Sequence, residues 1–229
     1  MTITAVGSLF HYETGGVFEL PVSPTAVGDI LVTGISILAT AGTPVVYPVS
    51  GVSGGGVTTW YSLADTVNTI NTQTADLWWG VITATGSSTI TYTVPSALTN
   101  YGACAQQFHS SVGTTWSFDG ANYDTPLATS GNYPPLTPTG SGELYVALGG
   151  LGIPPIGGAT AGFTYYNSVG PGPSEQRTSF VFLAGASTPT VYSPAWTVTT
   201  GPRAQALSSG LIREGMATAS AIVMMPSMP

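Results

Sequence analysis

The sequence predicts an all-β protein folded as an antiparallel sandwich. Three observations carry that prediction: short runs in which apolar and polar residues alternate with period two, turn residues between the runs at short intervals, and no convincing amphipathic segment of helical period. The composition of the 229 residues agrees. Only 6% are charged, where about 25% is ordinary for a soluble domain, yet 43% are apolar, the share of a folded protein. Such a chain is too apolar and too weakly charged for intrinsic disorder. Its 30 glycines show no three-residue collagen period.

In chain order, residues 29–39 are apolar on both faces, as expected of a strand covered on each side, and 77–83 repeat the pattern. The run Thr89-Ile90-Thr91-Tyr92-Thr93-Val94 is the clearest half-buried strand: Ile90, Tyr92 and Val94 share one face, three threonines the other, and Pro95 ends it. A small-residue strand follows at 102–108. Leu144, Val146 and Leu148 alternate with Glu143, Tyr145 and Ala147; Phe180 and Phe182 alternate with Ser179, Val181 and Leu183; Trp196 and Val198 alternate with Thr197 and Thr199. A last strand is expected at 217–225, ended by Pro226. Helix is expected only as short turns at 62–69 and 214–220, because β-branched residues and Gly disfavour anything longer. Gly15-Gly16, Pro21 to Pro24, Gly54-Gly55-Gly56, Thr85-Gly86-Ser87-Ser88 and Gly201-Pro202 mark turns. Two longer stretches, 113–142 and 149–175, are rich in Gly, Pro, Asn and Tyr and read as long loops of the kind that contact partners.

The order of these runs repeats weakly. Val27-Gly28-Asp29-Ile30-Leu31-Val32, a Trp-bearing strand, a Thr-rich strand and Gly102-Ala103-Cys104-Ala105-Gln106-Gln107-Phe108 are echoed by Ser141-Gly142-Glu143-Leu144-Tyr145-Val146, by 179–183, by 187–199 and by Arg203-Ala204-Gln205-Ala206-Leu207. Two successive Greek-key-like halves of about four strands each describe an antiparallel jelly-roll-like β-sandwich, read as one domain over 1–229.

The same residues carry a family resemblance, together with Gln107-Phe108-His109-Ser110-Ser111 and the later Ala161-Gly162-Phe163-Thr164. Over residues 27–225 the chain resembles the jelly-roll minor tail and capsid-decoration proteins of tailed phages of actinobacteria. The resemblance implies a non-enzymatic structural protein of the virion, assembled in the bacterial host cytoplasm and without a cofactor. Its implied partners are other virion proteins and copies of itself, in a trimer or another closed ring. It supplies no catalytic residue.

Charge and hydropathy exclude other classes. With a formal net charge of −7, three arginines and no lysine, the chain cannot neutralise a row of phosphates, so nucleic-acid binding is not expected. The densest apolar stretch, 30–41, is interrupted by Thr33, Gly34, Ser36 and Thr40, which argues against a membrane-crossing helix. The first residues lack the basic start and apolar core of a secretory signal. Cys104, the single cysteine, forms no internal disulfide and reads as a small buried hydrophobe among alanines.

Candidate chemistry is sparse, and no catalysis is expected. Gly51-Val52-Ser53-Gly54-Gly55 matches the pattern of a nucleophile elbow, but 56–60 start a strand where the elbow needs a helix, so Ser53 reads as a turn residue. His11 and His109 have no recognisable orienting acid and, with Cys104, no zinc-ligand spacing. Asp119-Gly120-Ala121-Asn122-Tyr123-Asp124 gathers three oxygen-bearing side chains. Their spacing is not that of a calcium loop, so they read as Asx turns and no metal site is assigned. Trp78 and Trp79 point to opposite faces of one strand, with Trp79 in the core. Trp60, Trp78, Trp116, Tyr165 and Tyr166 are the candidates for partner contact or for stacking a host-surface glycan, with Tyr123 and Tyr133 beside them; the alternative is packing in cores and interfaces. Met216, Met224, Met225 and Met228 gather at the C-terminus, where adaptable side chains fill irregular contacts, either on the chain's own domain or on a neighbour.

Overall fold

The computed structural model describes residues 2–12, 18–38, 49–68, 73–94, 100–113, 115–151, 160–167, 178–198 and 203–215. The described residues form strands and no helix: β1 (Ile3–Tyr12), β2 (Glu19–Val22), β3 (Ile30–Leu38), β4 (Gly51–Gly54), β5 (Tyr61–Asn68), β6 (Gln73–Val81), β7 (Ser88–Thr93) and β8 (Asn100–Ser110) in a first half. The second half holds β9 (Thr115–Asp124), β10 (Leu127–Ala128), β11 (Ser130–Asn132), β12 (Ser141–Gly150), β13 (Thr164–Asn167), β14 (Thr178–Ser187), β15 (Ala195–Thr197), β16 (Arg203–Ala204) and β17 (Ala206–Gly215). All pairings between these strands are antiparallel.

Two five-stranded sheets lie face to face, one in the order β1-β8-β3-β6-β5 and the other β13-β14-β12-β17-β9. Between them Ile30, Val32, Leu77, Trp79 and Phe108 of the first pack on Leu144, Val146, Leu148, Phe180 and Ile212 of the second. Each sheet is covered on its outer face as well. The sheet β2-β7-β4 places Leu20, Ile90 and Tyr92 against Leu31, Ile35 and Ala105, while Trp196 of the pair β11-β15, with Tyr133 and Val198, packs on Tyr145, Val181 and Leu211. This layering accounts for sequence runs that are apolar on both faces. β3 and β12 are each sandwiched between two cores, whereas β7 shows its threonines to solvent and buries only Ile90 and Tyr92.

The pairing is nested. In the first half β1 pairs with β8, β2 with β7 and β3 with β6; in the second, β9 pairs with β17, β10 with β16, β11 with β15 and β12 with β14. Each half is therefore one long antiparallel hairpin rolled over itself. The expectation of about four strands per half is corrected to eight and nine among the described residues. The stretch 113–142, expected as a loop, contains β9, β10 and β11, and 149–175 contains β13. Gly, Asn and Asp lower the intrinsic strand preference of β9, but a full ladder to β17 outweighs it. The helical turn expected at 62–69 is corrected to strand over β5, whose residues complete a sheet edge. The expected strand at 217–225, the methionines at the C-terminus and the turns at Gly15-Gly16 and Gly201-Pro202 lie outside the described residues.

The halves correspond residue by residue. Ile30 pairs with Phe108 and Val81, and Leu144 pairs with Ile212 and Ala184, which aligns Gly28-Asp29-Ile30-Leu31-Val32 with Gly142-Glu143-Leu144-Tyr145-Val146. Counting along the aligned strands makes Gly34 equivalent to Leu148 and Ser110 equivalent to Glu214. Both pairs of equivalents touch. A β-carbon on Gly34 would lie 2.6 Å from Leu148 Cδ1, and Ser110 Oγ donates to Glu214 Oε2. Contact between equivalent residues is the mark of an isologous interface, so the halves face each other about an approximate two-fold axis.

Candidate functional site

The aligned acids each close a clamp at the start of a central strand. Asp29, buried at the head of β3, accepts from Gln107 Nε2 at 2.6 Å and lies 2.7 Å from His109 Nδ1, both on β8. Its counterpart Glu143 accepts from Arg213 of β17, with Nε at 3.2 Å and Nη2 at 3.1 Å, and from the Gly140 N–H at 2.7 Å. Asp29 is an orienting acid for His109 that the sequence did not reveal, because 80 residues separate the two. The second half repeats the arrangement with an arginine, so in both halves the acid ties one strand to another.

Arg213 also holds β9. Its Nη2 donates to Asp119 Oδ1 at 2.5 Å and to Thr139 Oγ1, and Thr139 in turn donates to Asp119 through its N–H at 2.9 Å and its hydroxyl at 2.5 Å. The two carboxyls around this guanidinium are driven apart. Burial and the neighbouring Asp119 raise Glu143 above the ordinary carboxylate range. Burial alone would raise Asp119 too, but the Thr139 hydrogen bonds, Glu143 and Arg213 outweigh it and hold Asp119 low. Asn122 Oδ1 accepts from the Tyr123 N–H and Asp124 Oδ1 from the Thr125 N–H, each the next residue along the chain, whereas Asp119 is held at long range by Thr139 and Arg213.

The aromatic candidates are not gathered at one place. Trp60 and Trp78 are half-buried against the core under β2-β7-β4, with Trp60 Nε1 donating to the Gly54 carbonyl. Trp116 and Tyr166 pack at the rims of the central core; Trp116 Nε1 donates to the Gly28 carbonyl, and Tyr166 lies 5.2 Å from the His11 ring. Tyr165 belongs to the outer core of the second half, where its hydroxyl donates to the Ala195 carbonyl. Tyr133 is fully buried and Tyr123 is exposed. Ser53 stands on β4 opposite Thr91 and leads into a glycine turn, not a helix. His11 and Cys104 are cross-strand neighbours, but the thiol donates to the Gly34 carbonyl and burial pushes its pKa up. Among the described residues no group of three His, Cys, Asp or Glu side chains is placed to hold a metal ion.

Among the described residues, exposed aromatic side chains gather along one rim of the sandwich. β5 and β9 are adjacent rims of the two large sheets, and the face of β9 beside Ile212, Gly210 and Ser208 bears Phe118, Ala121 and Tyr123. Phe118 is 53% exposed and Tyr123 68%, with Tyr61 of β5 half-exposed on Trp79. At the opposite rims, of β1 and β13, the His11 and Tyr166 rings lie 5.2 Å apart. Sequence reading singled out Tyr123 but not Phe118, because the strand that places both on one face was taken for a loop.

The structure defines an all-β, antiparallel, sandwich-like protein with exposed aromatic residues along one rim. No protein-family model matches the chain, and comparison with curated proteins and with solved structures finds no match either.

Proposed function

We propose that the protein is a structural component of a phage virion, a minor tail or capsid-decoration subunit that works by assembly with copies of itself and other virion proteins and not by catalysis. The observation that carries this reading is the nested strand order, repeated in both halves. In each half the first strand lies beside the last and the second beside the second-last, an order compatible with a hairpin rolled into a jelly roll, an architecture that recurs in viral capsid domains. The support is fold-level and joins the resemblance read from residues 27–225. The surface is consistent with it: a chain with three arginines and no lysine, bearing exposed Phe118, Tyr123 and Leu127, has little charge to oppose association. The glycan reading gains nothing from Trp60, Trp78, Trp116, Tyr165 and Tyr166, which are divided among three cores. Quantitative mass spectrometry of purified particles of the encoding phage tests the proposal. A fixed copy number per particle is expected, and absence of the chain from particles overturns it.

A further inference from the structure

The rims of the two large sheets are β1, β5, β13 and β9. A free rim presents a row of N–H and C=O groups that templates another strand, and proteins guard it with short length, lysine, proline or bulges. β13 is only four residues long, and β1 and β5 each break register, between Val6 and Phe10 and between Ser62 and Ala64. β9 runs for ten residues with neither lysine nor proline, and among the described residues it pairs with β17 alone. β9 also has a bulge, at Asp119, so what sets it apart from the other rims is its exposed apolar face with Phe118 and Tyr123; Asp119 adds no guarding charge, because Arg213 and Thr139 hold that carboxylate.

We propose that β9 pairs antiparallel with β9 of a second copy of this chain, about a two-fold axis between Asp119 and Gly120, joining two five-stranded sheets into one. The inference rests on the self-assembly reading and names its surface. The strand's own pattern selects the occupant. In this register Trp116 lies opposite Tyr123, Phe118 opposite Ala121, and Ser117 opposite Asn122, so aromatic meets aromatic, large meets small and polar meets polar. Asp119 meets Gly120 and Asp124 meets Thr115, so no like charges oppose each other. Faces agree as well: Trp116, Phe118, Ala121 and Tyr123 all lie on the side of Glu214, Ile212, Gly210 and Ser208. A slip of one residue sets Phe118 against Gly120 or Asn122, which belong to the other face, and the match is lost.

Sedimentation velocity on the full chain from low to high micromolar concentration tests this. The wild type is expected to form a dimer, and Phe118→Lys and Ala121→Lys each to return it to monomer with an unchanged circular dichroism spectrum. The double variant Phe118→Cys/Ala121→Cys is expected to give a covalent dimer on oxidation that thiol reductant reverses. A wild type that stays monomeric throughout overturns the pairing and its self-assembly basis together. An oligomer that survives both lysine variants and yields no disulfide dimer overturns the pairing and leaves self-assembly standing. Cross-linking of the Phe118→Cys chain within particles to a different virion protein, and not to itself, overturns the second copy as occupant.

Discussion

Gly210 has no room for a side chain: a β-carbon there would lie 2.4 Å from Leu63 Cγ across the central core. Gly210→Ala is expected to cost about 1–3 kcal/mol of stability through overpacking, measured by urea denaturation, and Leu63→Ala in the same chain is expected to restore part of it. Absence of coupling between the two changes in that double-mutant cycle contradicts the account. Gly34 faces the tip of Leu148, which can rotate aside, so Gly34→Ala is expected to cost less. The acids around Arg213 give a second residue-scale prediction, with opposite signs. Asp119 is held below its ordinary value, so its contribution is present above that value and is lost as pH falls through the folded-state pKa. Glu143 is raised, so its contribution is full below the ordinary value and is lost as pH rises through the folded-state pKa. Glu143→Gln is therefore expected to remove the stability that the wild type gains on acidification toward the ordinary carboxylate range, and Asp119→Asn to remove part of the loss below that range. Urea midpoints across the pH range check both.

At the scale of elements, the clamps at the heads of β3 and β12 tie each to the last strand of its half. Asp29→Ala leaves Gln107 and His109 without their acceptor and is expected to cost about 1–3 kcal/mol, with faster hydrogen exchange confined to the end of β8. Uniform acceleration through the sheet would show that Asp29 acts elsewhere. The strands these acids begin were legible in the sequence because they are apolar on both faces, and β7 because Ile90 and Tyr92 alternate with threonines. The aligned runs at Gly28-Asp29 and Gly142-Glu143 also exposed the duplication. β9, β1 and β5 were not legible, for one physical reason. An edge strand is solvated on its free side and need not alternate, so residues such as Gly120, Asn122 and Asp124 are tolerated there and imitate a loop. The exposed aromatic face was missed with β9. The partner of His109 was missed because sheet order, which no local pattern records, brings Asp29 to it.

At the scale of the whole molecule, the two halves meet through a core that neither can complete alone. Leu148 enters the space left by Gly34, its own equivalent, so the interface resembles that of a two-fold dimer whose contacts have become complementary within one chain. Two glycines there would leave a void and two leucines would collide. Because Leu77, Trp79 and Phe108 of one half pack on Leu144, Leu148 and Phe180 of the other, loss of either half strips the central core from its partner. The chain is therefore expected to unfold in one transition. Leu148→Ala, at a fully buried site, is expected to lose about 2–5 kcal/mol and to destabilise both halves equally, although the residue belongs only to the second. Fluorotryptophan NMR through a urea titration can follow Trp79 in the first half and Trp196, buried in the second half's outer core, as separate signals. Coincident midpoints that shift together in Leu148→Ala are the expected result. If Trp196 alone shifts while Trp79 keeps its wild-type midpoint, the halves are independent and the shared core does not couple them.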